Sequence, residues 1–227
     1  MRAHSNHPLW TLASFGLVLL FGFIAVGTQA HQSGDARQSD PREQWFRVAD
    51  IFQALGLQEG SRVADVGAGT GFFTVPMAHI VGKAGRVFAV DIDEKVVTKL
   101  RQRIMEAALD NVEVIQGDPR DPKLTPDSLD AALIVDAYHE MTEHEAMLLT
   151  IRQALTPGAR LVVVERMPRT TRDKPRKDQV DKHVIAPEFV EAELAEAKFE
   201  IVDRRDDFIS RPQNDDFFWL IVARRPG

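Results

Sequence analysis

Short apolar runs alternate with segments of helical period along most of this chain, and that alternation restricts its fold more than any other feature. "RVADV" (Arg62 to Val66), "RVFAVD" (Arg86 to Asp91), "VEVIQ" (Val112 to Gln116), "AALIVD" (Ala131 to Asp136) and "RLVVVE" (Arg160 to Glu165) have strand length. Around them, Trp45, Val48, Ile51, Phe52 and Leu55 recur at helical spacing, with Asp40 as N-cap, Pro41 at the first helical position and Gly56 as the stop. A helix through about Val81 follows the first strand, and Asp93 caps another from Glu94 to about Leu109. Thr142 and Glu145 make a capping-box pair for a helix reaching Leu155, Pro157-Gly158 turns the chain into the fifth strand, and Pro187 starts a helix ending near Lys198. "FEIVDRR" and "FFWLIVARR" supply the last two strands. Strands alternating with helices imply an α/β fold, a doubly wound and mostly parallel sheet covered on both faces. The final pair, joined by a loop, implies an antiparallel C-terminal edge.

The chain has 227 residues, enough for one sizeable domain with a short appendage. That appendage is the N-terminus. After Arg2 an apolar run extends from Leu9 to Val26 and closes on Thr28-Gln29-Ala30, which resembles a small-x-small cleavage site. Residues 1–30 therefore read as a secretory signal peptide, giving an exported, periplasmic protein. The run is also close to the shortest membrane-spanning helix, so an anchor in the inner membrane, with membrane association through residues 9–26, is the alternative. Residues 31–39 read as a polar linker and 40–227 as the folded domain. A net charge of -6 offers no global basic field for nucleic acid. The local basic stretch "RMPRTTRDKPRKDQ" is interrupted by acids and prolines and reads as a solvated loop. With no cysteine, disulfides, thiolate metal sites and cysteine nucleophiles are excluded.

"VADVGAGTGFFT" (Val63 to Thr74) places three glycines in five positions at the end of the first strand. In a doubly wound sheet, ligands bind beyond the carboxyl ends of the strands, and glycines there bring backbone within contact distance of a ligand. A dinucleotide fingerprint, G-x-G-x-x-G, would need glycine at position 72, where this chain has Phe72. The pattern is instead G-x-G-x-G, with Asp65 two positions before it, Asp91 ending the second strand and Asp118 following the third. A carboxylate where Asp91 stands can accept hydrogen bonds from both hydroxyls of a ribose. As purely local alternatives, Asp65 and Asp91 could serve as caps and Asp118 as a turn residue.

Together with "LTPGARLVVVE", these motifs resemble the class I S-adenosylmethionine-dependent methyltransferases over roughly Trp45 to Arg224. More narrowly, "VADVGAGTGFFT", "VFAVDID" and "DAYHEM" resemble a bacterial group of predicted methyltransferases. The resemblance implies a Rossmann-like sheet of seven strands with a reversed last hairpin, and S-adenosylmethionine as cofactor. It implies that Gly67, Ala68, Gly69 and Gly71 line the methionine and ribose portion, with Asp65 near the amino group. Asp91 would hold the ribose, Ile92 would pack on the adenine, Asp118 would meet the adenine amino group, and Asp136 would also belong to the cofactor site.

Methyl transfer from a sulfonium needs alignment in a dry pocket and, for a neutral acceptor, a general base. The resemblance puts the segment after the fourth strand, "VDAYHEM", opposite the transferred methyl. His139 is the first candidate for base, because an imidazole titrates near neutrality. Tyr138 would orient the acceptor or contact the sulfonium. Asp136 and Glu140 are further candidates for base, and His183 would reach over the pocket within a lid. No metal site is expected, because the aspartate–asparagine pair of metal-dependent catechol-type enzymes is replaced by Glu165-Arg166. A small-molecule acceptor is the default. A cofactor-binding module without catalysis and a nicotinamide-dependent oxidoreductase are the alternatives.

Overall fold

The computed structural model describes residues 45–227. The expected signal or anchor in residues 1–30, the linker and the Asp40–Pro41 helix start lie outside them. No helix among the described residues is long and apolar enough to cross a membrane. In chain order the elements are α1 (Val48–Leu55), β1 (Arg62–Val66), α2 (Thr74–Val81), β2 (Arg86–Asp91), α3 (Glu94–Glu106), β3 (Val112–Gln116) and β4 (Leu129–Val135). There follow α4 (His144–Ala154), β5 (Leu155–Pro168), α5 (Arg176–Val180), α6 (Pro187–Glu196), β6 (Glu200–Arg211) and β7 (Asp216–Arg224).

All seven strands join one sheet in the order β3-β2-β1-β4-β5-β7-β6. The pairs from β3 across to β5 are parallel, while β7 runs antiparallel to both β5 and β6. This is the expected doubly wound sheet with its reversed C-terminal hairpin. The reversed strand is β7, inserted between β5 and β6, so that β6 is the outermost strand. The order reverses between β1 and β4, and in a doubly wound sheet the crevice that takes a ligand lies at such a switch point, beyond the carboxyl edge.

The period-2 geometry of the strands sends alternate side chains into two cores. Leu161 and Val163 of β5, with Trp219 and Ile221 of β7, pack on one face with Leu148 and Ile151 of α4 and Leu194 of α6. Val162 and Val164, with Leu220 and Val222, pack on the other with Ile51 and Phe52 of α1 and Met77 of α2. Trp219 is fully buried, and its indole N–H donates to the carbonyl of Ile185 at 2.8 Å. Burying such a ring without a partner for that N–H would cost on the order of 1–3 kcal/mol.

Local signals act as expected at several ends. Gly56 closes α1 with φ 72°, and Asp93 accepts from the N–H groups of Lys95 and Val96 at 2.7 and 3.1 Å. Three expectations are corrected. No Thr142 capping box forms: Glu143 holds the cap position without a side-chain cap bond, its carboxylate lying 3.8 Å from Arg120. Pro157-Gly158 is a bulge within β5 instead of a turn before it, with the Gly158 N–H donating to the carbonyl of Arg225 at 2.8 Å. The basic stretch is a folded strap instead of a solvated loop. There Arg172 bonds Glu188 and Asp206, Arg169 bonds Asp207 and Arg176 bonds Glu193. Its positive charge is spent on α6 and β6, leaving little for an outside anion.

Candidate functional site

The glycine loop leaves the end of β1 at the crevice. The N–H groups of Gly67 and Ala68 both donate to the carbonyl of Val90 on β2, at 2.9 Å each. Gly67 has φ 79°, and a Cβ there would stand 2.5 Å from that of Ala137, in the loop after β4. Glycine at 67 therefore lets the β1 and β4 loops touch across the switch point. Gly69 is different. It too has positive φ (54°), but nothing lies within 4 Å of where its Cβ would be, so its backbone faces open space.

Two carboxylates hold this loop. Asp91, at the end of β2, accepts from the Gly69 N–H at 3.0 Å through Oδ2 and from the Asp93 N–H at 3.1 Å through Oδ1. Each oxygen keeps lone-pair capacity for another donor. Ile92 follows with 52% of its surface exposed, an apolar side chain beside that carboxylate. Asp65 is buried under the loop and accepts from the Thr74 hydroxyl, in the first turn of α2, at 2.6 Å. Burial pushes its carboxyl up to about 6, against the hydrogen bonds from Thr74, with Asp91 adding to the rise. Asp118 is exposed and closes a turn, its Oδ1 accepting from Arg120 and Asp121 at 3.2 and 3.0 Å, with Lys123 Nζ 3.9 Å from Oδ2.

The loop after β4 supplies the second half. Asp136 adopts φ 50°, donates its N–H to the carbonyl of Val164 on β5 at 2.9 Å and is exposed. A single 3-10 turn, Tyr138–Glu140, follows. Glu165 of β5, fully buried, organises that turn. Its Oε1 accepts from the N–H groups of Tyr138 and His139 at 2.5 and 3.3 Å, and its Oε2 lies 2.8 Å from His139 Nδ1. Glu165 thereby fixes the ring orientation and, as a carboxylate, makes Nδ1 the protonated nitrogen and leaves Nε2 as the outward one. Burial opposes charge on His139, but the bond to Glu165 and the nearby Asp136 and Glu140 outweigh it and raise its pKa. Burial likewise raises Glu165, with His139 working against the rise, so the two titrate as a pair. Outward of His139, Nε2 lies 3.7 Å from Glu140 Oε1, which is itself 3.7 Å from His183 Nδ1.

The structure thus brings Asp65, Gly67, Ala68, Gly69, Asp91 and Ile92 to one side of the crevice and Asp136 with His139 to the other. Tyr138 does not join them. It is fully buried, and its hydroxyl donates to Glu193 of α6 at 2.7 Å, inside the α4–α6 core. Burial and the Glu193 carboxylate keep that phenol from ionising. Gly71 faces inward as well, since a Cβ there would stand 2.7 Å from Leu100 of α3. Glu165 is the residue organising this side of the site that sequence reasoning missed. Its signal was a charged residue closing an otherwise apolar run that fills the middle of the sheet.

A family model described as a methyltransferase domain matches residues 57–207. The chain belongs to this family. The ubiquinone/menaquinone biosynthesis C-methyltransferase UbiE of Pseudomonas fluorescens is 29% identical over 144 residues, 63% of this chain and 56% of the relative. Its counterpart from Ectopseudomonas mendocina is 32% identical over the same shares. The match thus spans little more than half the length of these curated relatives. Among solved structures, a SAM-dependent methyltransferase from Aquifex aeolicus superposes with a TM-score of 0.69 at 24% identity, covering 82% of this chain and 94% of that one. The [4+2]-cyclase SpnF superposes with a TM-score of 0.71 at 20% identity, covering 84% and 83%. At these identities the two structures share the fold of the methyltransferase domain, and the cyclase's name shows that this fold also hosts other chemistry.

Proposed function

We propose that the protein is an S-adenosylmethionine-dependent methyltransferase acting on a small-molecule acceptor. One observation carries the reading: the Asp91 carboxylate is anchored to the open Gly69 backbone at the switch point, with exposed Ile92 beside it. An adenosyl group needs that set of a ribose acceptor, a backbone without side chains and an apolar platform. Asp65, an anion held in the interior without a cation, fits the cofactor's ammonium. Asp118 has less to offer, since one oxygen is committed to its own turn.

When bound, S-adenosylmethionine supplies an activated methyl group on a sulfonium. The residues of this chain then position and deprotonate. Gly67 and Ala137 set the spacing of the crevice floor. Glu165 accepts from Nδ1–H of His139 and turns Nε2 outward as the proton acceptor for an acceptor hydroxyl or amine. Tyr138 positions the turn from below, through Glu193, without touching substrate.

Calorimetric titration of the full chain with S-adenosylmethionine and, separately, with NAD tests the reading. Micromolar binding of the first alone is expected, and Asp91→Ala should weaken it by about 2–4 kcal/mol, for the loss of two charge-assisted bonds. Unchanged binding by Asp91→Ala removes the ribose assignment. Tight binding without turnover on any acceptor favours the non-catalytic module.

A further inference from the structure

We propose that His139, Glu140 and His183 form a binding site for one divalent transition-metal ion of the zinc class at the carboxyl edge of the sheet. Their ligand atoms all lie within 4.8 Å of one another, and the two contacts to Glu140 are 3.7 Å each. Ligand atoms around a tetrahedral zinc stand about 3.4 Å apart, so the contacts to Glu140 need a few tenths of an ångström of closure and the two histidines at most about 1.4 Å, within reach of rotation by the exposed side chains of Glu140 and His183. Two imidazoles and a carboxylate suit zinc, cobalt or iron(II) over magnesium or calcium, which prefer all-oxygen shells.

Three further features point the same way. A ligating histidine characteristically gives its other ring nitrogen to a carboxylate, which fixes tautomer and direction. Glu165 does this for His139 at 2.8 Å, from a fully buried position. His183 is held in the left-handed region at φ 55° by its N–H bond to the carbonyl of Val180, and its ring centroid stands 5.8 Å from that of His139. With 72% and 68% exposure of the His183 and Glu140 side chains, the remaining coordination positions face solvent. Three protein ligands with an open position are the pattern of catalytic rather than structural zinc. A second grouping, Asp136, His139 and Glu165, shares the same histidine. There the Nδ1 side is already closed by the hydrogen bond to Glu165, which leaves Nε2 as the free ligand.

The ligands differ from those of the catechol-type enzymes that the sequence set aside. Two come from the turn after β4, and one comes from the strap between α5 and α6. The ion would use the lone pair of Nε2 that a general base also needs, so the site holds a proton or a metal and not both. A link between the ion and an acceptor rests on the methyltransferase reading, whereas ion binding does not.

The test uses the untagged full chain, stripped with EDTA. Zn2+ is titrated against a chromophoric chelator, and Co2+ is followed by its visible absorption. One equivalent of Zn2+ is expected. His183→Ala and Glu140→Gln, both at exposed positions and each checked for an unchanged fold by circular dichroism, should each weaken it roughly 10- to 100-fold, as should Glu165→Gln. Failure to bind Zn2+, or binding that His183→Ala leaves unchanged, overturns the proposal, the latter by assigning the ion to other histidines. S-adenosylmethionine titration in EDTA separates the two readings. Loss of cofactor binding with zinc binding intact sinks the methyltransferase assignment alone, and the reverse outcome sinks the metal site alone.

Discussion

Replacing Asp65 with asparagine should make the protein more stable and bind its cofactor worse. Asp65 is buried, and its carboxyl is raised from 3.8 to about 6. Raised in the folded state, the group contributes stability that is fully present below 3.8 and lost as pH climbs through about 6. The gap corresponds to about 3 kcal/mol at 1.36 kcal/mol per unit, the cost of an anion with only the Thr74 hydrogen bonds to support it. An asparagine side chain in its place would keep an acceptor for the Thr74 hydroxyl and carry no charge. Urea unfolding at pH steps from 4 to 8 should show wild type and Asp65→Asn converging near pH 4. They should diverge between pH 4 and 6 and hold a constant gap of up to about 3 kcal/mol above that, asparagine the more stable. Calorimetry of S-adenosylmethionine binding at pH 5.5 in buffers of different ionisation enthalpy should show proton release, as the ligand's ammonium draws Asp65 into its charged form. An Asp65→Asn protein less stable than wild type at pH 7, or a gap independent of pH, would refute the reasoning.

Three further outcomes are expected. Gly67→Ala forces a Cβ to 2.5 Å from that of Ala137 at positive φ and should cost about 1–3 kcal/mol in chemical denaturation. Gly69→Ala meets open space, so it should cost about 1–2 kcal/mol or less of stability but measurably weaken S-adenosylmethionine binding; equal effects of the two on both assays would remove the distinction. If residues 1–30 export the domain, a reporter fused after Gly227 should be active in the periplasm and silent in the cytoplasm. The opposite pattern would assign an anchor with the domain facing inward.

The half of the site that binds between β1 and β2 was legible because its signals are local. A strand end, a glycine loop and a carboxylate twenty-odd residues later follow from sequence spacing, and β1, β2 and β3 begin and end where their apolar runs do. Asp93 announces α3 for the same reason. The half beyond β4 was not legible, because it is built from pairs distant in sequence. His139 depends on Glu165, 26 residues on, and Tyr138 turns inward to Glu193, 55 residues on. Spacing said that "DAYHEM" follows a strand. Only the 3-10 turn pinned by Glu165 decides that the histidine faces Glu140 and His183 while the tyrosine enters the core against Glu193. The basic strap misled for a related reason, since Glu188, Glu193, Asp206 and Asp207 lie in later elements.

The insertion of β7 between β5 and β6 sets an order in time. A ribosome delivers β6 before the strand that must come between it and the rest of the sheet. Until Asp216 to Arg224 emerge, β6 has no neighbour and β5 has a bare edge. Glu165 lies on that edge, in register with Trp219 of the late strand. The glycine loop and Asp91 depend only on strands already synthesised, so a nascent chain can complete that side of the crevice early. The histidine side comes last, sealed when the hairpin closes, and a chain stalled before Asp216 would carry the glycine loop with no partner across the crevice.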